Sequence, residues 1–257
     1  MSAPLLETAR LTLEIGGRQV CRELDLTVRH GERWGILGIN GVGKTTLLHT
    51  LGGLRPPLSG EIRLDGRPLA VLPRRRAARL CGLLFQDQSD PFPSTLLETA
   101  LIGRHPHLGR WQREGPQDQA IALDALEQVG LATMAGRLAH TLSGGERRRL
   151  ALATLLTQDP QLYLLDEPTN HLDLRQQIAV LDLLGRKARE QRTAVVMILH
   201  DINLAARCCD RVLYLFGAGE TLHGPAREML TEANLTRLYG HPVASVAGEN
   251  GPVYYPV

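Results

Sequence analysis

Residues Gly38-Ile39-Asn40-Gly41-Val42-Gly43-Lys44-Thr45 follow the spacing G-x-x-x-x-G-K-T, and the chemistry this suits is the holding of a nucleotide's phosphates. Glycines open backbone conformations closed to other residues and let amide N–H groups approach phosphate oxygens. A helix starting at the same point aims its positive end at the same anion. Lys44 is then placed to reach the β- and γ-phosphates, and the Thr45 hydroxyl to face Mg²⁺. The chain has only two lysines, Lys44 and Lys187, and arginine supplies the other strongly basic side chains. Keeping a lysine at position 44 against that bias points the same way.

Two acids, Asp166 and Glu167, end the apolar run Leu162-Tyr163-Leu164-Leu165. Ligands of open α/β sheets sit beyond the carboxyl ends of the strands. There Asp166 suits the outer shell of Mg²⁺, and Glu167, directed to the opposite side, suits the polarising of an attacking water. A third cluster is Leu142-Ser143-Gly144-Gly145-Glu146. Ser143 and Glu146 form a capping box that opens a helix running through Arg148 to Leu156. The two glycines at its start leave a bare anion site.

These groups need elements to position them. The opening reads as antiparallel strand material, Leu11 to Ile15 and Leu24 to Val28, joined through a Gly16-Gly17 turn. The apolar strand Trp34 to Leu37 leads into the Gly-rich loop, and the helix after it stops at a Gly pair followed by Pro56. Gly60 to Leu64 and Leu80 to Phe85 are further strands. From about Ser89, with Pro91 and Pro93 punctuating a loop, the chain turns mostly helical as far as Gln158, including Asp118 to Val129. Short buried strands then return between helices at Leu162 to Leu165, Ala194 to Leu199 and Val212 to Leu215. That order predicts a parallel sheet with crossover helices, interrupted by a helical insertion: one domain with two lobes.

Composition limits the function classes. A formal net charge of +2 over 257 residues argues against a nucleic-acid footprint spread over the surface. Cys21, Cys81, Cys208 and Cys209 lack metal spacing and read as reduced, buried thiols of a cytosolic protein. No signal peptide opens the chain, and no apolar run approaches the roughly 18 residues of a membrane helix. Any membrane role therefore runs through a partner. His105 and His107 read as loop residues, for want of a third metal ligand. Arg74 to Arg76 and Arg147 to Arg149 read as solvated faces.

Taken in order, GINGVGKT, Gln86 in LLFQD, LSGGE, LYLLDE, the turn Asn170-His171-Leu172-Asp173 and His200 after AVVMIL resemble the ATP-binding subunits of ABC transporters over essentially the full length. The resemblance implies an α/β fold of the P-loop NTPase class. Its parts would be a RecA-like, mostly parallel core sheet with an antiparallel β subdomain (1–88 and 160–240), an inserted helical subdomain (89–159) and an extension (241–257). It implies that Gly38, Ile39, Asn40, Gly41, Val42, Gly43, Lys44, Thr45 and Thr46 hold ATP, and that Thr45, Gln86 and Asp166 serve Mg²⁺. Glu167 would be the base, His200 a switch on the γ-phosphate, and Gln86 a Mg²⁺ sensor that moves the helical lobe. Two copies pair head to tail in that family. Ser143, Gly144 and Gly145 are therefore expected to act in trans on the nucleotide of a second copy, and Asp173 to couple the two sites.

The sequence departs from the family pattern in two places. Ile15 stands where many relatives carry an aromatic residue that stacks on adenine, leaving Val20 to pack on the purine and Arg18 to stack on it. Trp34 lies inside a strand and is expected in the core. Glu146 ends the signature where glutamine is common, a change the capping box accommodates without expected loss of activity.

The stretch from Phe85 to His107, and the tail TEANLTRLYG with a strand pair ending GPVYYPV, resemble subunits that serve iron-siderophore, haem and vitamin B12 uptake. That likeness implies two copies beneath two membrane permease subunits on the inner face of the cell membrane. An extracytoplasmic binding protein would deliver the chelate, and no nucleic acid is expected as a partner. The other reading is a soluble ABC ATPase acting on ribosomes or nucleic acid. The absence of a second ATP domain, a charged linker and a coiled-coil or zinc insertion weighs against it.

Overall fold

The computed structural model describes residues 4–86, 93–191, 193–249 and 251–257. In chain order the elements are β1 (Pro4–Ile15), β2 (Arg18–Leu24), β3 (Thr27–Arg29), β4 (Arg33–Leu37), α1 (Lys44–Leu51), β5 (Ser59–Leu64), β6 (Arg67–Pro68), α2 (Arg74–Leu80) and β7 (Cys81–Leu84). There follow α3 (Leu96–Leu101), α4 (Pro116–Gln128), α5 (Gly144–Gln158), β8 (Leu162–Asp166), α6 (Leu174–Gln191), β9 (Ala194–Ile198) and α7 (Ile202–Cys208). The chain closes with β10 (Arg211–Gly217), β11 (Glu220–Pro225), α8 (Ala226–Met229), α9 (Glu232–Tyr239), β12 (Val243–Gly248) and β13 (Gly251–Pro256). The expected boundary near residues 88 and 89, and Pro91 beside it, lie outside the described residues.

The main sheet has the strand order β11-β10-β4-β9-β8-β7, parallel except for the edge hairpin of β10 with β11. Every residue of β8 and β9 is buried. Strands covered on both faces read as unbroken apolar runs rather than alternating ones. The alternation shows instead in where successive side chains go. Tyr163, Leu165, Val195 and Met197 enter a core shared with the helices that follow β7, while Leu162, Leu164, Val196 and Ile198 enter a second core shared with α1 and the antiparallel sheet. Trp34, 1% exposed, belongs to this second core, as expected, with its Nε1 donating to Glu32 at 2.9 Å.

The antiparallel sheet runs β2-β1-β5-β6, with β3 also on β1. One strand differs from the sequence reading. The chain pairs back onto β1 directly after the Gly16-Gly17 turn, as Arg18–Leu24, and the segment read as Leu24 to Val28 breaks at Asp25. There the Asp25 carboxylate accepts the Arg10 N–H at 2.6 Å, and Leu26 N–H donates to the Thr8 hydroxyl at 2.9 Å. Charged residues in RQVCREL hide the strand's alternation. Its buried positions are Val20, Cys21 and Leu24.

All four cysteines are free; burial pushes the Cys21 thiol up to about 11 and that of Cys81 to about 12. Both lysines are buried, Lys187 in an ion pair with Asp159 at 3.3 Å. No helix among the described residues is long and apolar enough to cross a membrane.

Candidate nucleotide site

Strand order gathers the functional segments. The Gly-rich loop follows β4, His200 follows β9, Asp166 ends β8 with Glu167 directly after it, and Gln86 follows β7. Adjacent parallel strands therefore present all of them at one edge of the sheet.

Gly43 caps α1 with φ 107°, and Gly41 has φ 76°, both in the region that disfavours side chains. Gly38 is fixed by proximity: a Cβ there would lie 2.7 Å from the Leu215 carbonyl oxygen. Ile39, Asn40 and Gly41 form the exposed crest, with Val42, Thr45 and Thr46 half-buried behind it. Lys44 is buried, and its Nζ donates to the carbonyls of Gly38 at 2.8 Å and Ile39 at 3.0 Å, which holds the loop curled. Burial pulls the Lys44 pKa down, opposed by the charges of Glu167 and Asp166.

Val20 packs beneath the loop, 2% exposed, and its methyl carbons would sit 2.6 and 2.7 Å from a Cβ at Gly43. It presents almost no surface to a base. Ile15 and Arg18, cross-strand partners at the β1–β2 turn, are both exposed, as is Glu14 beside them. Gly43→Ala combines a φ unfavourable to alanine with this contact. Its expected cost is about 1–3 kcal/mol, a fall of roughly 2–10 °C in Tm for a domain this size. Thermal unfolding of the two chains side by side checks it; an unchanged Tm would show that β2 yields freely.

Asp166 is fully buried, and neither carboxylate oxygen makes a hydrogen bond of ordinary geometry, although the Thr45 hydroxyl lies near enough to favour its ionised form. Burial, the larger influence, pushes its pKa up. A buried carboxylate with two unserved oxygens beside a hydroxyl is a donor set that suits a hard divalent cation. The residues present fit Mg²⁺.

Glu167 follows at φ 51°, a left-handed conformation rare for a side chain of this size. The turn it opens closes from Asn170 N–H to the Glu167 carbonyl at 3.1 Å. Its carboxylate, 8% exposed at residue level, is met by three side chains. His200 Nε2 contacts Oε1, Asn170 Nδ2 donates to Oε2, and Gln86 Nε2 reaches Oε2 at 3.5 Å. The structure thus brings Glu167, His200 and Gln86 together. Asn170, read from sequence only as part of a turn, joins them.

Ser143 caps α5 as the pattern predicts: its N–H donates to Glu146 at 2.8 Å, and Glu146 N–H donates to its hydroxyl at 3.2 Å. The Ser143 backbone N–H holds the Glu146 carboxyl below the ordinary range. Ser143 and Gly144 are exposed, while a Cβ on Gly145 would come within 2.8 Å of the His171 carbonyl oxygen. The signature therefore sits on its own chain's Asn170–Asp173 turn. Asp173 accepts Gln176 N–H at 2.8 Å at the start of α6.

The run Arg147 to Arg149 is not the solvated face expected from its charge. Only Arg147 is exposed; Arg149 caps the carbonyls after α4 at Val129 and Gly130, and Arg148 is buried. Successive residues of a helix point about 100° apart, and here α5 turns Arg148 toward the carbonyls at the ends of β7 and β8 while Arg147 faces solvent. Arg74 to Arg76 are exposed as expected, although Arg75 Nε also donates to the Pro106 carbonyl at 2.9 Å. His107 Nε2 meets the Gln158 carbonyl at 2.8 Å, and His105 lies 3.7 Å from Glu114.

Known proteins resemble this chain over most of its length. Residues 21–170 match the family described as ABC transporter. The hemin import ATP-binding protein HmuV of Bordetella avium is 38% identical over 243 residues, covering 91% of this chain and 92% of its own. An ABC transporter ATP-binding protein of Bacillus subtilis, YvrA, is 36% identical over 92% of this chain, which spans only about half (54%) of that relative's length. Among solved structures, an inward-facing transporter described as of the metal-chelate type superposes with TM-score 0.86 at 28% identity, over 99% of this chain and 98% of that one. The dimeric, post-hydrolysis ATP-binding cassette MJ0796 with ADP and phosphate gives TM-score 0.76 at 28% identity, over 86% and 99%. The chain belongs to the ABC transporter family, as one of its ATP-binding, ATP-hydrolysing subunits.

Proposed function

We propose that this chain powers uptake of a metal chelate of the iron-siderophore, haem or cobalamin class, as a head-to-tail pair docked on two membrane permease subunits. The observation that carries the reading is near-full-length likeness to a hemin import subunit and to a metal-chelate type transporter. The dimeric cassette among its structural neighbours supports the pairing. So does the signature, whose exposed Ser143 and Gly144 leave a helix amino terminus open to an anion from outside the chain. The protein would then work on the inner face of the cell membrane, with a binding protein on the far side.

In this reading the loop Gly38 to Thr46 holds the triphosphate of ATP, and Lys44 releases its loop carbonyls to face the β- and γ-phosphates. Thr45, Asp166 and Gln86 would hold Mg²⁺, which neutralises charge developing on the phosphate oxygens. Glu167 orients a water for in-line attack on the γ-phosphorus; the bond to the bridging oxygen breaks, leaving ADP and phosphate. His200 and Gln86, both on the Glu167 carboxylate here, are the side chains that must turn toward the phosphate. Ser143, Gly144 and Gly145 close the site of the other copy, and Asp173 lies where the two sites meet.

A tagged chain expressed in its own cell is expected to come out of detergent-solubilised membranes with a polytopic permease. Recovery with ribosomes and no membrane protein would overturn the importer reading.

Base recognition is expected to be loose, because no aromatic side chain stands among the exposed residues Glu14, Ile15 and Arg18 at the hairpin end. In competition binding ATP and GTP should displace one another nearly equally. Ile15→Tyr should tighten both, by the roughly 1–3 kcal/mol of an aromatic stack, with little change in their ratio, since every base has a π face. A strong preference for ATP in the unaltered chain would contradict this.

A further inference from the structure

Arg148 lies on α5, five residues beyond Ser143, and its guanidinium joins three segments. Its two terminal nitrogens divide the work. Nη1 donates to the carbonyls of Phe85 and Gln86, the latter at 3.3 Å, and Nη2 to those of Asp166 and Glu167, the latter at 2.7 Å. One group thus ties the signature helix to the backbone carrying Gln86 and to the backbone carrying both site carboxylates. A planar guanidinium with five N–H donors in a fixed fork is unusual in being able to hold four acceptors at once. It is 6% exposed, so its charge and these hydrogen bonds act where water does not compete.

We propose that Arg148 is a positioning residue that makes the aim of Glu167 and Gln86 depend on the placement of the signature helix of the same chain. The inference rests on the two-copy reading above for its second half. When the signature of this chain engages a nucleotide on the other copy, Arg148 transmits that engagement to this chain's own carboxylate. Each site is then informed of the other through one side chain, without contact between the two nucleotides. The linkage is rigid because both ends are backbone carbonyls of strand termini, which cannot follow a rotamer change as side chains would.

Arg148→Lys, Arg148→Gln and Arg148→Met in the full-length chain test this. All three should bind ATP within about twofold of the parent, because the phosphate loop is untouched. Turnover should fall by about 10–100-fold in Arg148→Met and Arg148→Gln, the range for a residue acting through another, and less in Arg148→Lys. The cooperativity of hydrolysis with ATP concentration should fall with it. A merely structural role is separated by repeating Arg148→Met on a Glu167→Gln background. If Arg148 acts through Glu167, the second change costs little; if it only supports the fold, both backgrounds lose alike. Equal losses on the two backgrounds, or unchanged turnover in Arg148→Met, would overturn the assignment. Should Arg148→Met fail to fold, Arg148→Gln, which keeps two N–H donors, carries the same comparison. A parent chain hydrolysing ATP without cooperativity would count against the two-copy reading, and the double-variant comparison would still decide the role of Arg148.

Discussion

Glu167→Gln is expected to lower ATP turnover by about 10²–10⁴-fold, the usual contribution of a positioned general base, while ATP still binds. The amide keeps the shape of the side chain but cannot accept a proton from water. It also retains a carbonyl oxygen for Asn170 or His200, so the turn after β8 should persist. In the two-copy reading the variant should accumulate as an ATP-bound dimer, because the step that reopens the pair is missing. Size-exclusion chromatography with ATP, alongside phosphate release, checks both halves. Parent-like turnover would remove Glu167 from the role of base.

Lys44→Met is expected to act on the opposite step. The ammonium supplies charge-assisted hydrogen bonds to phosphate, each about 1.5–3 kcal/mol, so nucleotide affinity should fall by roughly 10- to 150-fold or more. The ligand-free chain should be affected far less. Burial lowers the pKa of Lys44, which means that the charged form is held at a cost in the folded protein. Methionine removes that desolvation but also the hydrogen bonds to the Gly38 and Ile39 carbonyls, so the two effects oppose and the Tm without nucleotide should change little. The increase in Tm that ATP gives the parent should largely disappear at the same ATP concentration. A retained ATP shift would refute the assignment of Lys44 as a phosphate ligand.

The site was legible in sequence wherever its chemistry is local. The Gly38–Thr45 loop and the Ser143–Glu146 capping box are each contained in a few consecutive residues, and both take the form their spacing predicts. Asp166 and Glu167 were found because an unbroken apolar run must end at the edge of a covered parallel sheet. Arg148 was missed because the four carbonyls its guanidinium meets are 62 to 63 residues back and 18 to 19 residues ahead. Backbone carbonyls leave no trace in a residue pattern. Asn170 was passed over because its link to Glu167 depends on a left-handed φ at an ordinary residue. The strand β2 was hidden for a related reason: its register is set by pairing to β1, not by a strong alternation of its own.

The burial of both lysines has a practical consequence. Lys44 and Lys187 are the chain's only side-chain amines, and each is less than one-tenth exposed. Amine-directed acylating reagents and cross-linkers therefore meet almost no reactive side chain on the folded surface. Slow labelling at position 44 becomes a clock for the opening of the phosphate loop. Labelling at 187, on α6 and in an ion pair with Asp159, supplies the internal standard against which that clock is read.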